Sequence, residues 1–177
     1  TTKDNFIQLK DAVNTIFEQI QSANLEDDKL LGIPSGYPDL DEMTSGFQPG
    51  DLIILAARPS VGKTTLALNI AQFVAIHKNI PVAIFSCEMP AEQLAMRLLC
   101  SEAKIDSKRI RSSSIADHEY RDLNIAFGKL SEAPIFIDDT PNISPIELRA
   151  KLRRLKTKAD VKLIMIDYLQ LLRGSKK

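Results

Sequence analysis

The stretch "LIILAARPSVGKTTLALNI", residues 52–70, constrains this chain more than any other. Five apolar residues in succession, 52–56, read as a buried strand, a short loop ends in Gly-Lys-Thr, and a helical pattern begins at once. A loop between a strand and a helix start aims several backbone N–H groups at one point, and the helix dipole adds favourable potential for an anion there. Ser60, Val61, Gly62 and Lys63 would supply those N–H groups, with Gly62 letting the backbone approach phosphates closely. The Lys63 ammonium would reach the β- and γ-phosphates, the Thr64 hydroxyl would coordinate Mg²⁺, and Thr65 would reach the α-phosphate. One residue departs from the pattern G-x-x-x-x-G-K-[ST]: Ala57 stands where the first glycine belongs. A positive φ there would cost Ala about 1–2 kcal/mol. The loop is expected to avoid this by keeping φ negative, with Pro59 holding Arg58 extended.

Downstream, strands and helices alternate. Helical patterns cover residues 64–78, 90–104, 117–131 and 145–157, and apolar strands cover 52–56, 82–86, 135–137 and 163–166. Pro90 suits a first helical turn, where its missing N–H costs nothing, and Ser144-Pro145-Ile146-Glu147 is a capping box. Continuous apolar strands separated by helices predict an α/β fold whose mostly parallel sheet is covered by helices on both faces. Ahead of it, Phe6, Leu9, Val13, Ile16 and Ile20 recur in steps of three and four, marking an amphipathic helix. Residues 24–51 carry most of the turn signals, with room for one short helix near residues 40–44. The expected organisation is a helix over 1–23, a connecting segment over 24–50 and a nucleotide-binding domain over 51–177. Pattern alone leaves open whether the first helix is an arm or packs on its own core.

The 23 basic and 23 acidic side chains cancel. Without a global electrostatic footprint, a simple DNA-binding module is disfavoured. No apolar run approaches the roughly 18 residues of a membrane span, and the opening "TTKDNF" has no pattern of a secretory leader. Cys87 and Cys100 lack metal-ligand spacing and fit thiols of a reducing compartment. A cytoplasmic location, with no membrane partner, is therefore expected. The missing initiator Met and the ending "LLRGSKK" lead to the expectation of a piece cut from a longer chain.

In open α/β sheets ligands sit at the carboxyl ends of the strands, so acids just after strands are the candidates. Asp167 follows four apolar residues and would orient Mg²⁺ through a water. Glu88, two residues past a strand end, would polarise the water that attacks the γ-phosphate. A helix N-terminal charge just before Pro90 remains the alternative for Glu88. Asp138 and Asp139 read rather as caps, of the Ser144 region or of a turn. The basic run Arg149, Lys151, Arg153, Arg154, Lys156 and Lys158 reads as a solvated helix face, with a DNA or subunit contact as the alternative. His77 and His118 lack metal or nucleophile partners in the sequence.

The successive segments "ARPSVGKTTLALNIA", "FSCEMPAEQLAMRLL", "KLSEAPIFIDDTP" and "LIMIDYLQLL" resemble, in order and spacing, the motifs of DnaB-type replicative helicases. That family commonly carries Ala at the start of its phosphate loop, and the resemblance covers residues 32–172. It implies a RecA-like P-loop NTPase fold in which Lys63 and Thr64 hold ATP and Mg²⁺, Asp167 supports the metal and Glu88 is the catalytic base. It further implies ATP-driven translocation on single-stranded DNA and duplex unwinding by a homohexamer. The first helix resembles the family's linker helix, which docks on the neighbouring subunit; primase and a helicase loader are the implied partners, in a bacterial or phage-type replisome. DNA-gripping loops and an arginine finger follow the Asp167 strand in that family, as does a strand that enters between it and the phosphate-loop strand. A sheet with an internal gap and exposed edges, and feeble hydrolysis by this segment alone, are expected accordingly. A RecA-like recombinase or other ring ATPase, and a non-hydrolysing nucleotide-regulated interaction module, are the competing readings.

Overall fold

A computed structural model describes residues 7–24, 32–58, 60–112 and 114–167. The chain divides into two compact units, Thr1–Leu52 and Ile53–Lys177.

In the first unit, α1 (Leu9–Asn24) leaves its apolar stripe in solvent, with Leu9 80% and Phe17 59% exposed. The expected short helix is α2 (Pro38–Thr44), begun by Pro38 and stopped by Ser45 in the left-handed region. An antiparallel bridge, Ile33 to Phe47, closes the turn around it. A Cβ on Gly32 would lie 2.6 Å from the Gly46 carbonyl carbon, so the two backbones meet only because no side chain stands between them. Buried Asp41 fastens the loop by accepting the N–H groups of Ser35 (2.7 Å) and Gly36 (3.3 Å).

The second unit runs α3 (Lys63–Lys78), β1 (Val82–Ser86), α4 (Ala91–Ala103), α5 (Ser107–Arg111), α6 (Asp117–Glu132), β2 (Ile135–Asp138), α7 (Pro145–Ala159) and β3 (Leu163–Asp167). The strands form one parallel sheet in the order β2-β1-β3. All five residues of β1 are buried, as a central strand with both faces covered requires. On one face Ala83 and Phe85 pack with Ile143, Leu148 and Val161 beneath α7. On the other, α3 touches all three strands and buries Leu68, Ala71, Val74 and Ala75. A second cluster, Ala103, Ile105 and Ala126, joins α4 to α6. Ser144 and Glu147 cap α7 reciprocally, as their spacing predicts. Among the described residues no helix is long and apolar enough to cross a membrane.

One expected strand is not formed. Residues 52–56 adopt no strand, and their apolar side chains stand in solvent, Leu52 at 80% and Ile54 at 71% exposure. A strand is held by a hydrogen-bonded neighbour, and among the described residues none pairs with this run. On its outer edge β3 likewise takes no described partner, and Ile164 is 45% exposed. The five-residue α5, too short for a periodic pattern, has no counterpart in the sequence reading.

At the α4–α6 junction Glu102 accepts hydrogen bonds from Gln72 (2.6 Å) and Lys129 (2.7 Å). Burial pushes the Glu102 carboxyl upward, but the bonds from Lys129 and Gln72 outweigh it and hold the group below its ordinary value of 4.5. A folded-state value below the unfolded one stabilises the fold above the unfolded pKa, and the gain is lost as pH falls through the folded value. Glu102→Gln should therefore lower urea stability at pH 7, and the gap to the unmodified chain should close as the pH drops below about 4.5. A gap that stays constant across that range would show the ion pair contributes nothing.

Candidate functional site

The phosphate-type loop enters α3 through Gly62, whose φ of 99° lies where L side chains are strained. Open space surrounds this position: a Cβ there would meet nothing within 4 Å. Gly62 is thus demanded by backbone angle rather than crowding, and its outer side is accessible to a ligand. No side-chain cap occupies the α3 N-terminus, so its first turn presents backbone N–H groups at the positive end of the dipole. The left-handed positions of the loop are Ser60 (φ 65°) and Gly62; Ala57 stays out of that region, which removes the cost of replacing a glycine there. Pro59, read as restricting Arg58, lies outside the described residues. Ser60, Val61, Gly62 and Thr65 are all exposed along this loop and first turn.

At the far end of the sequence, Asp167 closes β3 and is buried. The Thr64 hydroxyl donates to Asp167 Oδ2 at 2.6 Å across 103 residues, and Lys63 Nζ lies 3.4 Å from Asp167 Oδ1. Each carboxylate oxygen thus faces a different residue of the helix start. Neighbouring β1 ends level with it, Ser86 opposite Asp167. The Cys87 N–H donates to the Asp167 carbonyl at 2.8 Å, extending the ladder past the strand end. Glu88 follows on an exposed turn. Buried Ser86 shapes that turn, its Oγ accepting the Met89 N–H at 3.1 Å. The structure thus brings Lys63, Thr64 and Asp167 together, and Glu88 lies two residues past the end of the adjoining strand.

The remaining acids have other work. Asp138 accepts the Thr140 N–H at 3.1 Å and pairs with Lys151, and Asp139 accepts the Ala91 N–H at 3.0 Å, capping α4. Ser86 is a positioning residue the sequence reading missed, and Asp139, read as a cap of the Ser144 region or of a turn, instead caps α4. For Ser86 the signal was local, a hydroxyl three residues ahead of the N–H it bonds; for Asp139 the partner lies 48 residues away and leaves no local signal. His77 stacks against Phe73, ring centroids 5.3 Å apart, on the last turn of α3.

Among the described residues no group of three or more His, Cys, Asp or Glu side chains could hold a metal. A Mg²⁺ ion does not need one, because it binds few protein oxygens and completes its shell with water and phosphate. The hydroxyl of Thr64 and the carboxylate of Asp167 are hard oxygen donors 2.6 Å apart, and they fit such an ion. A buried strand-end carboxylate meeting a helix start of this kind, on a parallel sheet, marks a P-loop type of nucleotide-binding domain.

Comparison with known proteins narrows the class. The description "DnaB-like helicase C terminal domain" matches residues 32–177, and the chain belongs to that family. Across 96% of its length it is 50% identical to the replicative DNA helicase DnaB of Geobacillus stearothermophilus and 49% identical to the replicative DNA helicase DnaC of Bacillus subtilis (strain 168). It spans only 37% of each of those relatives. Among solved structures, one described as an ATPase domain superimposes with a TM-score of 0.88 at 32% identity, covering 97% of this chain and 61% of that one. A DnaB-like replicative helicase, solved to describe its interactions with primase, gives 0.81 at 33% identity, covering 99% and 42%.

The negative potential at the strand ends can be read at Cys87. Burial, then the charges of Asp167 and Asp138, push its thiol above the ordinary 9.0. Removing one charge by Asp167→Asn should lower that pKa and speed alkylation of Cys87 several-fold at pH 8, read site by site by mass spectrometry. Cys100, raised chiefly by burial and by Asp106, serves as the internal standard. An unchanged ratio of the two rates would mean that Asp167 does not act on Cys87.

Proposed function

We propose that this chain is the nucleotide-binding portion of a replicative DNA helicase motor, in which ATP hydrolysis drives translocation on single-stranded DNA and unwinding of the duplex. The observation that carries this reading is the meeting of Thr64 and Lys63 with Asp167 at the mouth of the loop, within a chain of the DnaB-like family. Backbone N–H groups of Ser60, Val61, Gly62 and Lys63 cradle the phosphates, the Lys63 ammonium neutralises the β- and γ-oxygens, and Thr65 contacts the α-phosphate. Thr64 and Asp167 hold Mg²⁺, which supplies neutralisation of the charge on the phosphate oxygens. Glu88 takes the proton of the attacking water, and the Ser86 hydroxyl holds the turn that aims it.

In this reading residues 1–23 are the linker region, 24–50 the connecting segment and 51–177 the ATPase portion. The exposed stripe of α1 docks on a neighbouring copy and builds a homohexamer; primase and a helicase loader are the further partners, in the cytoplasm. Nucleotide sites then lie between subunits, where groups from the adjacent copy add to the rate.

The test is ATP turnover by the complete natural chain, with and without single-stranded DNA. Turnover should rise with DNA, and Glu88→Gln should reduce it by about 10²–10⁴ while ATP still binds. Ser86→Ala should lower kcat with little change in KM, and Ser86→Thr should restore it. Turnover indifferent to DNA would remove the motor and leave a nucleotide-regulated assembly protein.

A further inference from the structure

The second unit has an open edge that the nucleotide site does not use. Strand β2 is the last in the sheet, with β1 on one side and no described neighbour on the other. The Val82 N–H donates to the Pro134 carbonyl at 2.9 Å, and in a parallel ladder bonding alternates along the strand. Phe136 and Asp138 therefore bond toward β1, while Ile137 turns its N–H and carbonyl, and Ile135 its carbonyl, toward the open side. Beside this edge, on the α7 face of the sheet, lies a cleft of about 620 Å³. Ala83 and Phe136 form its floor, Leu155 lies along one wall, and Arg154 and Lys158 flank it from α7. Lys151, at one end, is already engaged by Asp138 and by Thr140 at 2.7 Å. Arg154 and Lys158 are exposed.

We infer that the β2 edge and this cleft form a docking site for an extended acidic peptide segment of a partner protein, added to the sheet as a fourth strand. Main-chain bonds to Ile135 and Ile137 supply affinity, and alternate side chains of the added strand face α7. Residues i and i+2 of a strand are separated by about 6.6 Å, close to the rise of about 6 Å between helix positions four apart. Two glutamates in that spacing thus meet Arg154 and Lys158, their methylene stems crossing Phe136 and Leu155. Edge-to-edge pairing of two copies would bring the same cations face to face, so charge selects an acidic partner over a second copy. A nucleic-acid backbone would leave the strand-edge groups and the apolar floor unused.

The test uses the complete natural protein and a fluorescein-labelled peptide of about ten residues alternating Glu and Val, read by anisotropy at low salt. Saturable binding is expected, weakened about tenfold or more by the double change Arg154→Glu and Lys158→Glu, with ATP turnover unchanged. The same peptide N-methylated at alternate residues should not bind, a control that leaves the protein untouched and works even if the double variant misfolds. Equal binding by the N-methylated peptide would overturn strand addition, and equal binding by a Lys–Val peptide would overturn the selection of an acidic partner. No peptide binding, alongside loss of oligothymidylate binding in the double variant, would assign the basic wall to nucleic acid instead.

Discussion

Strand β1 hydrogen-bonds on both edges, and the rest of the second unit is arranged by that pairing. Its register with β3 sets Ser86 opposite Asp167, so the two strands release their chains at the same level. A slip of one residue would turn every side chain of β3 to the other face and carry Asp167 away from α3. The Cys87 bond to the Asp167 carbonyl continues the ladder beyond the last pair, which keeps the Glu88 turn beside the carboxylate. Helix α3 lies across the same sheet and delivers Thr64 to Asp167. Residues far apart in the chain thus converge because one central strand is buried along its whole length.

Much of this was legible in advance, for reasons that differ from element to element. Helices α3, α4, α6 and α7 carry long periodic patterns or caps, and β1, β2 and β3 are apolar runs of strand length. The capping box at Ser144 is written within four residues and formed as read. The helix start at Lys63 was also legible, because Gly-Lys-Thr leads directly into a helical pattern. Residues 52–56 show the limit of such reading. Their composition records a preference for burial, but a strand also needs a partner, and the partner is not written in the run itself. The cap on α4 from Asp139 and the Glu102 bonds to Gln72 and Lys129 were invisible for the related reason that each joins separate elements. Sequence identified Lys63, Thr64 and Asp167 as one group, yet only the fold shows Lys63 and Thr64 facing different oxygens of the same carboxylate.

The α4–α6 junction and the β2 edge manage charge in opposite ways. Glu102 accepts from both Lys129 and Gln72, so its charge is matched within that junction. On α7, Lys151 is retained by Asp138, whereas Arg154 and Lys158 extend over apolar ground. A chain of zero net charge therefore still carries a local field of one sign, set by which cations have carboxylates within reach.

Helix α1 has 16 residues, a length at which an isolated helix in water is only marginally stable. Its apolar stripe is exposed, so contacts with a covering surface add to whatever stability its own backbone provides. Coil-to-helix conversion and association then become one linked equilibrium, governed by mass action. If the covering surface is a second copy, as proposed, the helix content of this segment would gauge protein concentration, falling on dilution without any change in temperature or solvent.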